Sequence, residues 1–145
     1  MTARILDGKR VAAGIREEVG GNVRQFVREG GPKPCLTAVL VGEDPASQVY
    51  VRNKGRACEK VGIEGRTLRL PASTSQQELL EIVGGLNDDS TVHGILVQLP
   101  LPTEGNGGVG FDERAVLDAV AERVGWDEPA PAGIHRGLAV CKAFA

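Results

Sequence analysis

Two short apolar runs, Cys35-Leu36-Thr37-Ala38-Val39-Leu40-Val41 and His93-Gly94-Ile95-Leu96-Val97, constrain this chain more than any other feature. Each is nearly continuous rather than alternating, the pattern of a strand covered on both faces, as in a parallel sheet with helices above and below. Helix-length segments with their own start and stop signals surround them. Asp7 is placed as N-cap of an amphipathic helix reaching about Arg28, in which Val11, Ile15, Val19, Val23 and Val27 recur every four residues before Gly30-Gly31-Pro32 ends it. Gly42-Glu43-Asp44-Pro45 turns the chain. Asp44 as N-cap and Pro45 at the first helical position start a second helix, which Gly62 closes. Gly65 to Leu70 reads as a strand, Ser75 with Glu78 as the capping box of a helix through about Leu86, and Asp112 to about Val120 as a further short helix. Strands alternating with helices over short connections predict an α/β fold: an open, mostly parallel sheet with flanking helices in three α/β/α layers, joined by right-handed crossovers.

A length of 145 residues suits one domain. We expect it over residues 1–122, followed by a divergent, irregular tail over 123–145, because Val124-Gly125-Trp126-Asp127-Glu128-Pro129-Ala130-Pro131-Ala132-Gly133 has breakers at close intervals and no sustained period. The last stretch, Leu138 to Ala145, has the composition of a strand or a stub of helix. Only 3% of residues are aromatic and the formal net charge is −2, so neither stacking platforms nor a basic face for phosphates is available and nucleic acid is not an expected partner. No apolar run approaches the ~20 residues of a membrane span and no signal-type stretch follows Met1-Thr2-Ala3-Arg4, so a cytoplasmic location away from membranes is expected. Cys35, Cys58 and Cys141 are too widely spaced for a disulfide framework or a paired-cysteine zinc site and read as buried or incidental thiols. His93 and His135 have no partners at ligand spacing, so no metal site is expected.

Two places have the residue types for chemistry. At the front of the second helix, Ser47, Tyr50 and Lys54 are three and four residues apart and share one helical face. A lysine beside a tyrosine hydroxyl, partly shielded from water, can become a proton-transfer group near neutrality. A solvated lysine next to a half-buried tyrosine fits the same spacing. The second place is Val97-Gln98-Leu99-Pro100-Leu101-Pro102 at the carboxyl end of a buried strand, where open parallel sheets bind ligands. Gln98 offers a donor and an acceptor there, and Pro100 and Pro102 stiffen the backbone that carries it. A strand ended by prolines, with Gln98 facing water, is the competing reading. Gly105-Asn106-Gly107-Gly108-Val109-Gly110 matches G-x-G-x-x-G, but Pro100 and Pro102 separate it from the strand and no second strand with an acidic end follows about 20 residues on. It is expected to be a flexible loop insertion, not a dinucleotide fingerprint.

Together the two places resemble a known family. Tyr50-Val51-Arg52-Asn53-Lys54, continuing through Ala57-Cys58-Glu59-Lys60-Val61-Gly62-Ile63, resembles the Y-x-x-x-K helix of the bifunctional methylenetetrahydrofolate dehydrogenase/methenyltetrahydrofolate cyclohydrolase family, and His93 to Pro102 is similar to its second signature. Ile5-Leu6-Asp7-Gly8-Lys9 and Val41-Gly42-Glu43-Asp44-Pro45-Ala46-Ser47 match in kind and order, so the resemblance runs from residue 4 to 102. It implies a folate one-carbon site with Lys54, Tyr50 and Gln98 as catalytic residues. Lys54 would assist proton transfer as the methenyl bridge is hydrolysed, Gln98 would hold and tune it, and Tyr50 would border the pterin. Ser47, Val51, Arg52, Asn53, Val97, Leu99 and Pro100 would complete the binding of tetrahydrofolate derivatives. It also implies, in full-length members, NADP or NAD bound by a second, Rossmann domain. That domain, a folate-binding aspartate in a lysine-aspartate-valine-aspartate-glycine-phenylalanine stretch, and a returning C-terminal helix have no counterpart in this sequence, so no cofactor is expected on this chain and dehydrogenase activity is expected to be absent. Truncation or a frame change after about Glu122 would produce such an end. The alternative to a cyclohydrolase domain is a non-catalytic remnant that binds folate weakly or associates with a full-length homologue, and the resemblance leaves a homodimer open.

Overall fold

A computed structural model describes residues 7–121. The expected tail, with Cys141 and His135, lies outside the described residues. Seven main elements follow one another: α1 (Gly8–Arg28), β1 (Cys35–Val41), α2 (Pro45–Val61), β2 (Glu64–Leu70), α3 (Gln76–Asp88), β3 (Gly94–Val97) and α4 (Glu113–Ala121), with a short 3-10 turn at Asn106–Gly108. Each boundary lies close to its sequence signal. Asp7 accepts from the amides of Lys9 and Arg10, and Ser75 and Glu78 form a reciprocal capping box. Gly62 closes α2 in the left-handed region at φ 85°, a conformation that a side chain would strain.

The strands form one parallel sheet in the order β2-β1-β3. Residue alternation along β1 sends side chains to two cores. Val39 and Val41 join Leu79, Val83, Ile95, Val97, Leu101, Val116 and Val120 under α3 and α4, while Ala38 and Leu40 pack with Val51 and Leu96 under α2. The result is the expected three-layer α/β/α arrangement. β2 is an edge strand, with Arg66 and Arg69 exposed, which discourages pairing with another chain.

Helix α1 departs from a simple amphipathic reading. Its only fully buried residue is Gly20, and Val11 and Ile15 are 56% and 55% exposed. The reason is geometric. A strict four-residue repeat advances about 40° per step, so a stripe of five such residues winds roughly 160° around the helix. Only its middle meets α2, where a β-carbon on Gly20 would contact Val61 and one on Gly62 would contact Val23.

Thr37 on β1 is 3% exposed, and among the described residues its hydroxyl finds no hydrogen-bond partner. Such a group costs about 1–3 kcal/mol. Thr37→Val is therefore expected to raise unfolding free energy in urea by about 1 kcal/mol or more; an unchanged or lower value would mean that the hydroxyl is satisfied. Leu79→Ala empties a fully buried site and is expected to cost about 2–5 kcal/mol, whereas Val11→Ala should stay within about 0.5 kcal/mol. Equal costs would contradict the exposure of α1.

Candidate functional site

Parallel pairing places the carboxyl ends of β1 and β3 side by side, with Val39 opposite Val97. The ladder extends one residue further, because the Gln98 amide donates to Val39 O at 2.9 Å. Two loops leave the sheet at this end, 42–44 toward α2 and 98–104 toward the 3-10 turn. They pack closely because Gly42, at φ 78°, has no side chain; a β-carbon there would lie 3.0 Å from Pro102 Cγ.

Helix α2 rises from the first loop. Asp44 caps it, accepting from the Ser47 amide at 2.7 Å, and this bond, followed by the Ser47 hydroxyl, holds the Asp44 carboxyl below its ordinary value. Ser47, Val51, Cys58 and Val61 form the buried side of the helix, and burial pushes the Cys58 thiol up. Tyr50 faces outward, 60% exposed. One turn on, Lys54 Nζ donates to Gln98 Oε1 at 3.1 Å across 44 residues of sequence. The Gln98 amide group is itself oriented: its Nε2 donates to Leu99 O at 2.6 Å, which leaves Oε1 toward the lysine. The Leu99–Pro100 peptide that follows is cis.

The expected site residues separate into three groups. Lys54 and Gln98 meet directly, with Tyr50 a turn away on the same side and Ser47 buried below it. Asn53 is exposed beside them, Leu99 is half-buried and Pro100 is exposed at the tip of the loop; Arg52, two positions from both Tyr50 and Lys54, lies on another side of α2. Val51 and Val97 do not fit the expectation. Helical and strand periodicity turn both side chains inward, Val51 at 2% exposure into the core under α2 and Val97 at 8% into the core on the opposite face. Neither side chain lines the surface that carries Lys54.

The glycine run also differs from a flexible insertion. Asn106, at φ 55°, ties it to α3: its Oδ1 accepts from the Gln76 amide at 2.9 Å, its Nδ2 donates to Gly110 O at 3.0 Å, and its amide donates to Thr74 O at 3.2 Å. Gln76 in turn brackets Asp112, accepting from its amide at 3.0 Å and donating to its carbonyl at 3.4 Å. Apart from the local Asn106–Gly110 bond, these pairings, and the contact of Glu113 Oε1 with the Leu101 amide at 3.0 Å, span 12 to 36 residues and have no local sequence signal. The run does not fit a dinucleotide pyrophosphate, since it neither follows a strand directly nor opens a helix. Among the described residues no three metal-ligating side chains gather; His93 Nδ1 accepts from the Cys35 amide at 3.2 Å. A hollow of ≈ 540 Å³ between the end of β2 and α3, lined by residues including Glu78 and Glu81, contains neither Lys54 nor Gln98. The site is therefore assigned from the hydrogen-bonded pair.

A family model described as tetrahydrofolate dehydrogenase/cyclohydrolase, catalytic domain, matches residues 6–123. The bifunctional protein FolD of Rhodopirellula baltica is 64% identical over 120 residues, 83% of this chain and 40% of that protein. That of Moorella thermoacetica is 54% identical over 144 residues, 99% of this chain and 49% of that protein, an alignment that continues past residue 122. In three dimensions, the 5,10-methylenetetrahydrofolate dehydrogenase of the silkworm Bombyx mori matches with TM-score 0.76 and 41% identity over 82% of this chain and 39% of that one. The chain spans less than half the length of each of these proteins.

The Asp44 cap predicts a pH dependence. Its folded-state value is depressed, so its contribution is present above the ordinary value of 3.8 and is lost as pH falls through the lower folded value. Asp44→Asn keeps a capping side chain without the titration. The stability advantage of the parent over Asp44→Asn, read from melting curves between neutrality and strongly acidic pH, is expected to shrink below that ordinary value; a constant difference would remove the carboxylate from the account.

Proposed function

The chain belongs to the tetrahydrofolate dehydrogenase/cyclohydrolase catalytic-domain family, and from this premise we propose that Lys54, Tyr50 and Gln98 form a folate site that hydrolyses the methenyl bridge of 5,10-methenyltetrahydrofolate. The observation that carries this reading is the 3.1 Å bond between Lys54 Nζ and Gln98 Oε1, which joins the two motifs at the carboxyl end of the sheet. The bond uses one N–H and fixes the direction of Lys54 Nζ, which on this reading takes a proton from an attacking water. Water adds to the bridge carbon, its first proton passing to Lys54. The bond from that carbon to N5 then breaks as Lys54 passes its proton to N5 and the remaining hydroxyl proton goes to solvent water. 10-Formyltetrahydrofolate and one net proton result.

The exposed ring of Tyr50 offers an apolar face for the pterin, while Ser47, Asn53, Leu99 and Pro100 border the same end of the sheet. Val51 and Val97 support these residues from the core, and Arg52 would reach only an extended part of the substrate. Interconversion with 5,10-methylenetetrahydrofolate requires NADP or NAD, and we assign that cofactor to full-length relatives rather than to residues described here.

The decay of methenyltetrahydrofolate absorbance, followed at a pH where uncatalysed hydrolysis is slow, tests the reading. The parent chain is expected to accelerate it, and Lys54→Ala to lose roughly 100-fold or more of that acceleration. Equal rates for parent and variant would remove Lys54 from the chemistry; no acceleration by either would favour a folate-binding remnant.

A further inference from the structure

We propose that Glu113 is a positioning residue for the Lys54–Gln98 pair, clamping the backbone of the Gln98–Pro102 loop from the first turn of α4. Beyond Gln98, whose amide is bonded to Val39 O, the loop has left the sheet. Pro100 and Pro102 have no N–H, so within 100–102 the only backbone donor is that of Leu101. Leu101 is 5% exposed, and its N–H meets no strand; Glu113 Oε1 accepts it at 3.0 Å. Without that acceptor a buried donor would be left unpaired, and the segment would shift to find another.

The clamp reaches the chemistry through few atoms. Leu99 O, two residues before the clamped amide, accepts from Gln98 Nε2 at 2.6 Å and turns Gln98 Oε1 toward Lys54 Nζ. A displaced Leu99–Leu101 segment therefore rotates the Gln98 amide and changes the direction of the lysine. Glu113 is in turn well held. Asp112 beside it is bracketed by Gln76 of α3 and caps α4 through the Ala115 amide at 3.0 Å, and Val116 and Val120 of the same helix are 0% and 3% exposed in the core that contains Leu101. A carboxylate on an anchored helix gives the loop a fixed reference.

The kinetic consequence rests on the folate reading above, so the test pairs turnover with a readout that does not. Parent, Glu113→Ala and Glu113→Gln are compared well below the lowest of their melting temperatures. Glu113→Ala is expected to lower kcat for methenyltetrahydrofolate hydrolysis roughly ten-fold or more, to speed hydrogen exchange at the Leu101 amide, and to shift the Gln98 side-chain amide resonance. Glu113→Gln keeps an acceptor oxygen and should remain near the parent in all three. Normal turnover with an unmoved Gln98 resonance in Glu113→Ala would overturn the proposal, as would equal losses in the two variants. An inactive parent chain would count against the proposed hydrolysis alone, and the clamp would then stand or fall on the Leu101 exchange and the Gln98 resonance.

Discussion

Strand β1 is hydrogen-bonded along both edges and covered on both faces, and this double burial determines where the other parts of the chain must go. Val39 at 0% and Leu40 at 1% exposure point to opposite cores, so helices are needed on both sides of the sheet. Parallel pairing with β2 and β3 then obliges each connection to cross a face, with α2 on one and α3 on the other. All three strands consequently end at the same side. The turn into α2 and the loop after β3 emerge there next to each other, and the absence of a side chain at Gly42 lets them touch.

Helix α2 is attached to the sheet by the face that also carries the site. Ser47, Val51, Cys58 and Val61 are the buried residues of that face, while Tyr50 and Lys54, three and seven residues after Ser47, lie at its margin, where Lys54 reaches Gln98. The position of Lys54 along the sheet edge is thus set by burial of residues a few places away, and its direction by a single polar contact with Gln98. Bulk packing supplies the first and backbone-anchored polar groups the second. A truncation in the core and the loss of a clamp at the loop should accordingly have different signatures, one in stability and the other in the direction of the amine.

Much of this was legible in the sequence because it is local. Caps at Asp7, Asp44 and Ser75, the αL glycine at 62, the apolar runs and the Asp112–Val120 segment placed the seven helices and strands to within one or two residues, but not the 3-10 turn at Asn106–Gly108. The pairing of Lys54 with Gln98 was not readable from spacing, which allowed a solvated lysine and a glutamine facing water; the family resemblance brought them together. What escaped was what depends on tertiary neighbours. The valine stripe of α1 looked like a core face until α2 was seen to cover only its middle. Val51 and Val97 belonged to the right motifs, yet their periodicity points them inward. Asn106 and Glu113 lie in segments that read as a loop and a helix start, and their partners Gln76 and Leu101 are 30 and 12 residues distant.

The glycine run shows why a motif must be judged by what its amides do. A pyrophosphate is held when successive N–H groups are free to point at it. Here the Gly105 amide donates to Pro102 O, Asn106 to Thr74 O, Gly108 and Gly110 to Gly105 O, and Val109 to Asn106 O. Five of the six amides of Gly105–Gly110 are thus spent on folding the loop back onto the segment before α3 and on itself. The same residues that resemble a phosphate cradle in one dimension therefore form a brace in three, and the loop they brace runs from Gln98 to α4. On the proposed reading, this portion of the family's fold is organised for proton handling at a folate carbon, which needs one oriented amine and a water; hydride transfer needs a second reactant held over that carbon, and these glycines cannot provide the hold.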